Sequence, residues 1–156
     1  MNKKWLSYYL AMACQAATMS KDSTQVGAIL VDPEGAIILT AYNGPPKGVK
    51  DHPARFERPT KYLFASHAEQ NLIAFAARRG IPTLGCSIFV THCPCCDCAK
   101  SIIQSGIKNV YYGPGETSMD LERFDATRVM FAEAGIDVTF ISDNNQQAVD
   151  THHSPS

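Results

Sequence analysis

The chain has 156 residues, 45% of them hydrophobic, which is enough for one domain with a single core and too little for two domains of ordinary size. Its 14 basic and 15 acidic side chains nearly balance, so no overall positive field would draw it to nucleic acid or to an anionic membrane. No apolar run approaches the roughly 20 residues of a membrane span, so we expect neither a membrane nor a nucleic-acid partner.

The N-terminal segment MNKKWLSYYLAMACQAATMS places two lysines before a largely apolar stretch. Polar residues interrupt this stretch, so an amphipathic helix from Trp5 to about Met19 is a better interpretation than an export signal. Without an export signal we expect a cytoplasmic protein, in which thiols stay reduced. The six cysteines then indicate metal binding or catalysis more than disulfides.

Predicted strands and helices alternate along the rest of the chain. A hairpin of two strands covers residues 26–32 and 36–43, and a polar loop with several prolines follows at 44–62. The later elements are a helix at 67–79, a strand at 87–91, a helix from about 94 to 105, a strand at 109–113, a helix at 121–134 and a strand at 137–142. This alternation predicts one α/β domain over residues 1–142, with parallel strand pairs covered by helices on both faces. The polar segment 143–156 shows no periodicity, and we expect it to be disordered.

Four cysteines lie close together at residues 93–98, and two pairs among them have the same spacing. Cys93 and Cys96 are three residues apart, as are Cys95 and Cys98, so spacing alone allows either pair to share a helical face. The proline at position 94 favours the second pair, because proline prefers the first helical position and keeps the preceding residue extended. Cys95 and Cys98 then lie in the opening turns of the helix, where its dipole favours thiolate, and Cys96 points to another face. The cysteines expected to pack as small buried hydrophobic residues are Cys14, Cys86 and Cys93.

Two thiolates do not complete a zinc site, so the chain must supply a further ligand. His67 is the natural candidate, and His92 competes with it because it ends a strand close to the cysteines. Glu69 has a structural explanation, since Ser66 and Glu69 fit the S-x-x-E capping box of a helix N-terminus. The joint pattern outweighs that explanation, because H-x-E followed by P-C-x-x-C is the signature of zinc nucleobase deaminases. In such a site three protein ligands leave one zinc position open for water, and a nearby carboxylate moves protons.

Longer segments strengthen this similarity: SKDSTQVGAILVDPEG, AYNGPPKGV, KYLFASHAEQNLIAFAARRG and IFVTHCPCCDCAKSIIQSGIKNVYYG. From about residue 20 to about residue 141 the chain resembles the deoxycytidylate deaminase branch of the cytidine deaminase superfamily. The resemblance implies a three-layer α/β/α sandwich with a five-stranded mixed sheet, and hydrolysis of dCMP to dUMP and ammonia. The residues that it implies are His67, Cys95 and Cys98 as ligands of a catalytic Zn²⁺, Glu69 as the proton shuttle, and Asn43 and Ala68 as substrate contacts.

The same resemblance implies partners beyond the deoxynucleotide substrate. Many relatives are homohexamers that dCTP activates and dTTP inhibits, and Mg²⁺ would enter only together with such a triphosphate. The loop at 44–50 carries two lysines and two glycines and could support a triphosphate, although a solvated surface loop is the plainer interpretation.

A nucleotide phosphate requires cations or backbone amides in the pocket. Two departures from the family leave the phosphate contacts near the turn after the first helix unassigned. Met19 stands where relatives often carry arginine, and Ser23 stands where they often carry proline. Arg78 lies roughly 16 Å along its helix from His67, within easy reach of a phosphate only if a neighbouring subunit presents it. We predict that Arg78 contacts the phosphate, while its alternative role is to complement the helix dipole.

Other functions share parts of this pattern. A tRNA adenosine deaminase carries the same two motifs but needs a basic face, which the charge balance does not suggest. Free-nucleoside cytidine deaminases usually carry cysteine in place of His67. A structural zinc module would close the site with four protein ligands and hold the metal without turnover. Substrate preference between dCMP and dCTP stays open at this point.

Overall fold

One mixed β-sheet forms the centre of the computed structural model, which describes residues 1–143 and 147–150. Its strands, in chain order, are β1 (Gly27–Val31), β2 (Ile37–Tyr42), β3 (Ser87–His92), β4 (Asn109–Gly115), β5 (Asp137–Asp143) and β6 (Gln147–Asp150). They lie in the order β2-β1-β3-β4-β5-β6. The pairs β3-β4 and β4-β5 are parallel, and the other neighbouring pairs are antiparallel. The predicted α/β class with a mixed sheet is confirmed.

The strand β6 differs from the disorder expected over 143–156. It pairs antiparallel with β5, placing Thr139 opposite Asp150 and Ile141 opposite Ala148. The pairing covers a strand that would otherwise form an open edge, and so satisfies backbone groups of β5 without any need for an apolar pattern in β6. This sixth strand is added to the five predicted ones. The rest of the predicted tail, residues 144–146 and 151–156, lies outside the described residues.

Helices cover both faces of the sheet. They are α1 (Lys3–Ala17), α2 (Lys61–Phe64), α3 (Ala68–Arg79), α4 (Cys96–Gln104) and α5 (Leu121–Ala134), with a 3₁₀ helix at Pro53–Phe56. Side chains alternate along β1, so that Leu30 joins a core with α3, α4 and α5, while Ile29 joins a core with α1. The result is the predicted three-layer sandwich. None of the helices in the described part of the chain combines the length and hydrophobicity needed to cross a bilayer.

The approach of α1 to the sheet depends on Gly27. A Cβ atom at this position would collide with the backbone of α1 at Ala13 and Ala17. Glycine therefore lets the helix lie directly against the first strand. Within α1, the residues that face the sheet are buried, among them Leu10 and Ala13. The N-terminal segment is thus an integral layer of the domain, as its amphipathic pattern predicts.

A short backbone bridge closes the segment that the sequence presents as a long loop. The amide of Gly44 donates to the carbonyl of Ser66 at 3.0 Å, and the amide of Ser66 donates to the carbonyl of Gly44 at 2.8 Å. This bridge places the end of β2 beside the start of α3. Asn43, just after β2, and His67, just before α3, are brought to the same edge of the sheet.

Candidate metal centre and active site

The three predicted metal ligands lie at the N-terminal ends of two helices. His67 is the N-cap residue of α3, and Cys95 is the N-cap residue of α4. Cys98 lies in the first turn of α4, at the third helical position. Pro94 therefore precedes the N-cap and does not occupy the first helical position, which is a shift from the prediction. The strand β3 ends at His92, so the sheet delivers the chain directly to this cluster.

The ligand atoms of His67, Cys95 and Cys98 lie within 4.8 Å of one another, the one such group of His, Cys, Asp and Glu side chains among the described residues. His67 Nδ1 is 3.3 Å from Cys98 Sγ and 3.5 Å from Cys95 Sγ. Zinc bonds of about 2.3 Å to sulfur and about 2.0 Å to nitrogen, at tetrahedral angles, would place nitrogen and sulfur about 3.5 Å apart. The two measured separations fit a tetrahedral metal, and both cysteines are buried.

The electrostatics of the group favour thiolate at Cys95. The hydrogen bond from Cys98 and that from the His67 ring lower the pKa of Cys95 to about 3, against the opposing effect of burial. In turn the pKa of Cys98 is raised, because its thiol donates to Cys95 and because it is buried. The N-terminus of α4 adds the positive end of the helix dipole. A dipositive ion would stabilise both sulfurs as thiolates.

Glu69 is buried in the first turn of α3, with 4% of its surface exposed. Burial raises its pKa to about 7, although its own backbone amide and His67 favour the charged form. The capping box lies one residue later than the alternative explanation with Ser66 and Glu69 has it: the amide of His67 donates to Gln70 Oε1 at 3.0 Å. Gln70 therefore performs the capping, and the Glu69 carboxyl is available for chemistry.

A cavity opens in front of this group. Within the described chain its wall includes His67, Cys95 and Glu69, together with Asn43 and Ala68 from the predicted substrate contacts. The further lining side chains are Asp22, Thr24, Val26, Arg58, Lys61, Tyr62, Ala65, His92, Cys93, Thr117, Ser118, Met119 and Phe124. Most of these come from three separate segments, so the cavity is assembled by the fold and not by one motif.

Comparison with known proteins places this geometry in a family. The family model described as "Cytidine and deoxycytidylate deaminase zinc-binding region" matches residues 3–114, which include His67, Cys95 and Cys98. The chain belongs to the cytidine and deoxycytidylate deaminase family. Deoxycytidylate deaminase of Mus musculus is 39% identical to it over 140 residues, which cover 85% of this chain and 77% of that protein. A protein of Aliivibrio fischeri described as an uncharacterized deaminase in the luxG 3' region is 42% identical over 146 residues, which cover 90% of this chain and 96% of that one.

Solved structures agree with this family. The crystal structure of the dCMP deaminase from the cyanophage S-TIM5 in complex with dCMP and dUMP matches with a TM-score of 0.74 and 29% identity. The match covers 90% of this chain and 99% of that one. The similarity therefore extends over nearly the whole domain. The resemblance to deoxycytidylate deaminases is confirmed.

In this member of the cytidine and deoxycytidylate deaminase family, Asn43 lines the cavity while its side chain also supports a neighbouring turn. Asn43 Oδ1 accepts from the amide of Val26 at 3.0 Å, and Nδ2 donates to the carbonyl of Thr24 at 2.8 Å. An amide oxygen can accept two hydrogen bonds and an amide nitrogen carries two hydrogens, so each atom keeps capacity for one more partner. Asn43 is fixed in position and can still form a hydrogen bond with a further group in the cavity.

Three further residues close to the cluster lie outside it: His92, Cys93 and Cys96. His92 Nδ1 lies 2.6 Å from Thr91 Oγ1, and its ring occupies the space that a side chain at Gly115 would fill. His92 thus packs at the end of the paired strands β3 and β4 and is not part of the ligand group. Cys93 lines the cavity and is only half-buried, so its predicted burial is wrong because its side chain borders an open space. Cys96 is also half-buried.

The predictions for the more distant cysteines have mixed outcomes. Cys86 is buried, as predicted. Cys14 is exposed, so its predicted burial is wrong. It lies on α1, whose buried face is formed by Leu6, Tyr9, Leu10, Ala13 and Ala17. Position 14 lies beside that buried face. Because only one side of α1 is covered by the sheet, this position is open to solvent.

Arg78 lies outside the cavity. It lines a separate surface groove beside β2, together with Lys47, Phe75 and Arg79. The predicted contact between Arg78 and the nucleotide phosphate is therefore not available within one chain. For a contact across a subunit interface, it stays a prediction.

A buried ion pair in the cavity wall has no motif in the sequence that predicts it. Lys61 Nζ lies 2.9 Å from Asp22 Oδ1, and their side chains are only 7% and 3% exposed. The same carboxylate oxygen accepts the amide of Thr24 at 2.9 Å. The ion pair thus fastens α2 to the turn that follows α1. Both segments contribute to the cavity, so the pair fixes the width of the cavity at this point.

We expect Lys61→Met to lower the free energy of unfolding by about 3–5 kcal/mol, because it leaves the Asp22 carboxylate buried without its partner. The double variant Asp22→Asn with Lys61→Met should recover most of this loss, since the asparagine oxygen can still accept the Thr24 amide and no charge is left unpaired. Urea unfolding of the two variants beside the unmodified protein measures both effects. A Lys61→Met protein as stable as the parent would show that the pair contributes nothing.

Proposed function

We propose that this chain catalyses the zinc-dependent hydrolytic deamination of dCMP to dUMP and ammonia. The observation that carries the proposal is the group of His67, Cys95 and Cys98, together with the buried Glu69, which lines the same cavity as His67 and Cys95. The donor set of one imidazole and two thiols suits zinc, and three ligands leave a fourth position for water. The names of the Mus musculus relative and of the cyanophage structure support deoxycytidylate as the substrate.

The roles of the chain's own residues follow from their positions. His67, Cys95 and Cys98 would hold the metal, which when bound supplies the Lewis acidity that makes water nucleophilic near neutral pH. Glu69 takes a proton from the attacking water and passes it to N3 of the pyrimidine, which makes C4 electrophilic. After oxygen has bonded to C4, Glu69 transfers the second water proton to the amino group, and the C4–N bond breaks to release ammonia.

Glu69 suits this double role because its pKa of about 7 lies close to neutral pH. A group that must both accept and donate a proton works best when neither form is strongly favoured. Burial in the cavity is the main cause of this pKa and also keeps bulk water from exchanging the proton. Asn43 and Ala68, both in the cavity wall, are proposed as substrate contacts.

Finer properties belong to the proposal as well. The resemblance to the family supports a homo-oligomer, since many relatives are hexamers. The proposed cytoplasmic location rests on the interpretation of the N-terminal segment as an amphipathic helix. Regulation by dCTP and dTTP, with Mg²⁺ accompanying the triphosphate, has a candidate region: a surface cavity lined by Lys21, Lys47 and the glycines 44 and 48. Residues 44–49 of the loop that could support a triphosphate line this cavity.

A single assay tests the activity. Ammonia release is measured side by side from dCMP, dCTP, deoxycytidine, CMP and an adenosine-containing RNA, and dCMP is repeated with added dCTP or dTTP and Mg²⁺. We expect turnover of dCMP to exceed that of the other substrates, with activation by dCTP and inhibition by dTTP. Deamination of the RNA alone would replace the proposed substrate, and no turnover of any substrate by a zinc-loaded protein would favour a structural zinc site. Turnover of dCMP that ignores both triphosphates would remove the regulatory part only.

A further inference from the structure

The positive charges in the cavity wall are few. Apart from the histidines, the cationic side chains among its described lining residues are Arg58 and Lys61. Lys61 is held 2.9 Å from the carboxylate of Asp22, so the pair is neutral as a unit. A phosphate group with close to two negative charges therefore finds one uncompensated cation in the wall, the guanidinium of Arg58.

The contacts of Arg58 leave that charge available. Its Nε donates to Tyr62 Oη at 2.7 Å, and its Nη2 donates to Ser118 Oγ at 3.3 Å. Both partners are neutral hydroxyl groups, and no carboxylate of the described residues forms a salt bridge with it. A guanidinium has five N–H donors, so most of them are free to bind a further acceptor. Two parallel donors of this kind match two oxygens of a phosphate.

The position of Arg58 also fits the far end of a bound nucleotide. Arg58 is exposed, whereas Glu69 and Cys95, which line the same cavity, are buried and form its floor. A pyrimidine with C4 at the floor directs its 5′-phosphate toward the opening. Through Tyr62 and Ser118, Arg58 connects the segment before α3 with the segment before α5 across that opening. Both hydroxyls can turn to donate to a phosphate oxygen when one arrives.

We propose that Arg58 binds the 5′-phosphate of the substrate and is the residue that selects a nucleoside monophosphate over a nucleoside, with the hydroxyls of Tyr62 and Ser118 completing the contact. This inference rests on the proposed deamination of dCMP. It assigns to Arg58, within one chain, the contact predicted for Arg78. Lys61, held by Asp22, shapes the same wall without supplying net charge.

The test compares Arg58→Gln and Arg58→Lys with the unmodified zinc-loaded protein. We expect Arg58→Gln to lower kcat/KM for dCMP by about 10- to 100-fold, as for the loss of charge-assisted hydrogen bonds, while the slow reaction with deoxycytidine is unchanged. Arg58→Lys should fall between, because it keeps the charge and loses the paired donors. Arg79→Gln changes an arginine outside the cavity and should leave the rates with dCMP and deoxycytidine unchanged. Arg78→Gln tests whether an arginine of a neighbouring subunit contacts the phosphate.

Equilibrium binding of dUMP and deoxyuridine to the same proteins separates this inference from the proposed reaction. The unmodified protein should bind dUMP more tightly than deoxyuridine, and Arg58→Gln should remove that preference even if no dCMP is turned over. Equal losses on both ligands would make Arg58 a structural residue of the loop. A full preference for dUMP in Arg58→Gln, or none in the unmodified protein, would overturn the assignment, and a preference lost only in Arg78→Gln would transfer it to the subunit interface.

Discussion

Replacing Glu69 by glutamine should reduce kcat for dCMP by at least roughly 10²-fold and by as much as about 10⁴-fold, the range typical of acid–base groups. Glutamine has nearly the shape of glutamate but cannot accept the water proton or deliver it to N3 and to the leaving amino group. Zinc content should be unchanged, since Glu69 lies outside the group of His67, Cys95 and Cys98. Turnover, bound zinc and thermal unfolding, measured on one preparation, give all three quantities.

The neighbouring residue supplies a matched control for this variant. Gln70 accepts the amide of His67 at the start of α3, so Gln70→Ala should cost about 1 kcal/mol of stability, as for the loss of a cap. Its effect on turnover should be small beside that of Glu69→Gln. The two adjacent positions thus separate capping from catalysis. Near-normal turnover of Glu69→Gln would end the catalytic assignment, and a large loss of stability in that variant would return Glu69 to a structural role.

The elements most accurately predicted from the sequence are those with local end signals. The helix predicted at 121–134 is observed as Leu121–Ala134, and it ends at Gly135, which has a φ of 74°. The helix α3 ends in the same way at Gly80, with a φ of 67°. Glycine accepts this left-handed conformation without steric cost, so its place in the sequence marks the end of the helix.

Helix starts at the site were predicted less accurately, for a physical reason. The sequence rules look for Ser, Thr, Asp or Asn at the N-cap, and so favoured Ser66. In the structure, the two N-cap positions belong to His67 and Cys95, which are poor capping residues and members of the ligand group. The cap position aims a side chain outward from the helix end while its backbone stays extended. The usual N-cap preference for Ser, Thr, Asp or Asn is not followed here, because the site requires the side chains of His67 and Cys95 to point toward one another.

Contacts between segments distant in sequence could not be predicted. The ion pair of Lys61 with Asp22 spans 39 positions, and the contact of Arg58 with Ser118 spans 60. Neither residue pair has a recognisable motif, since a lysine or arginine in a polar loop is usually solvated. The motifs predict which residues cluster, since His67, Cys95 and Cys98 come together and Glu69 lines the same cavity as His67 and Cys95. The opposite end of the cavity, where the phosphate would lie, becomes visible only when the fold brings these segments together.

The four clustered cysteines divide into two pairs that mutation should separate completely. Cys95 and Cys98 are buried and point at His67 Nδ1, whereas Cys93 and Cys96 are half-buried and lie outside the ligand group. Removing one ligand leaves two, which do not hold zinc at a catalytic site. Cys93 and Cys96 lie outside that group, so neither thiol can replace a lost ligand unless the chain around the start of α4 rearranges.

We therefore expect Cys95→Ala and Cys98→Ala each to lose stoichiometric zinc and, with it, detectable deamination, which is the largest effect predicted for this chain. Cys93→Ala and Cys96→Ala should keep zinc at one ion per chain and keep most of the activity, with Cys93→Ala showing a modest change because that residue lines the cavity. Metal analysis after dialysis against a weak chelator, together with ammonia release, measures both properties. Zinc retained by Cys95→Ala, or lost from Cys96→Ala, would show that the ion is held by the other pair, in which case the thiolate geometry around His67 would have no role in binding it.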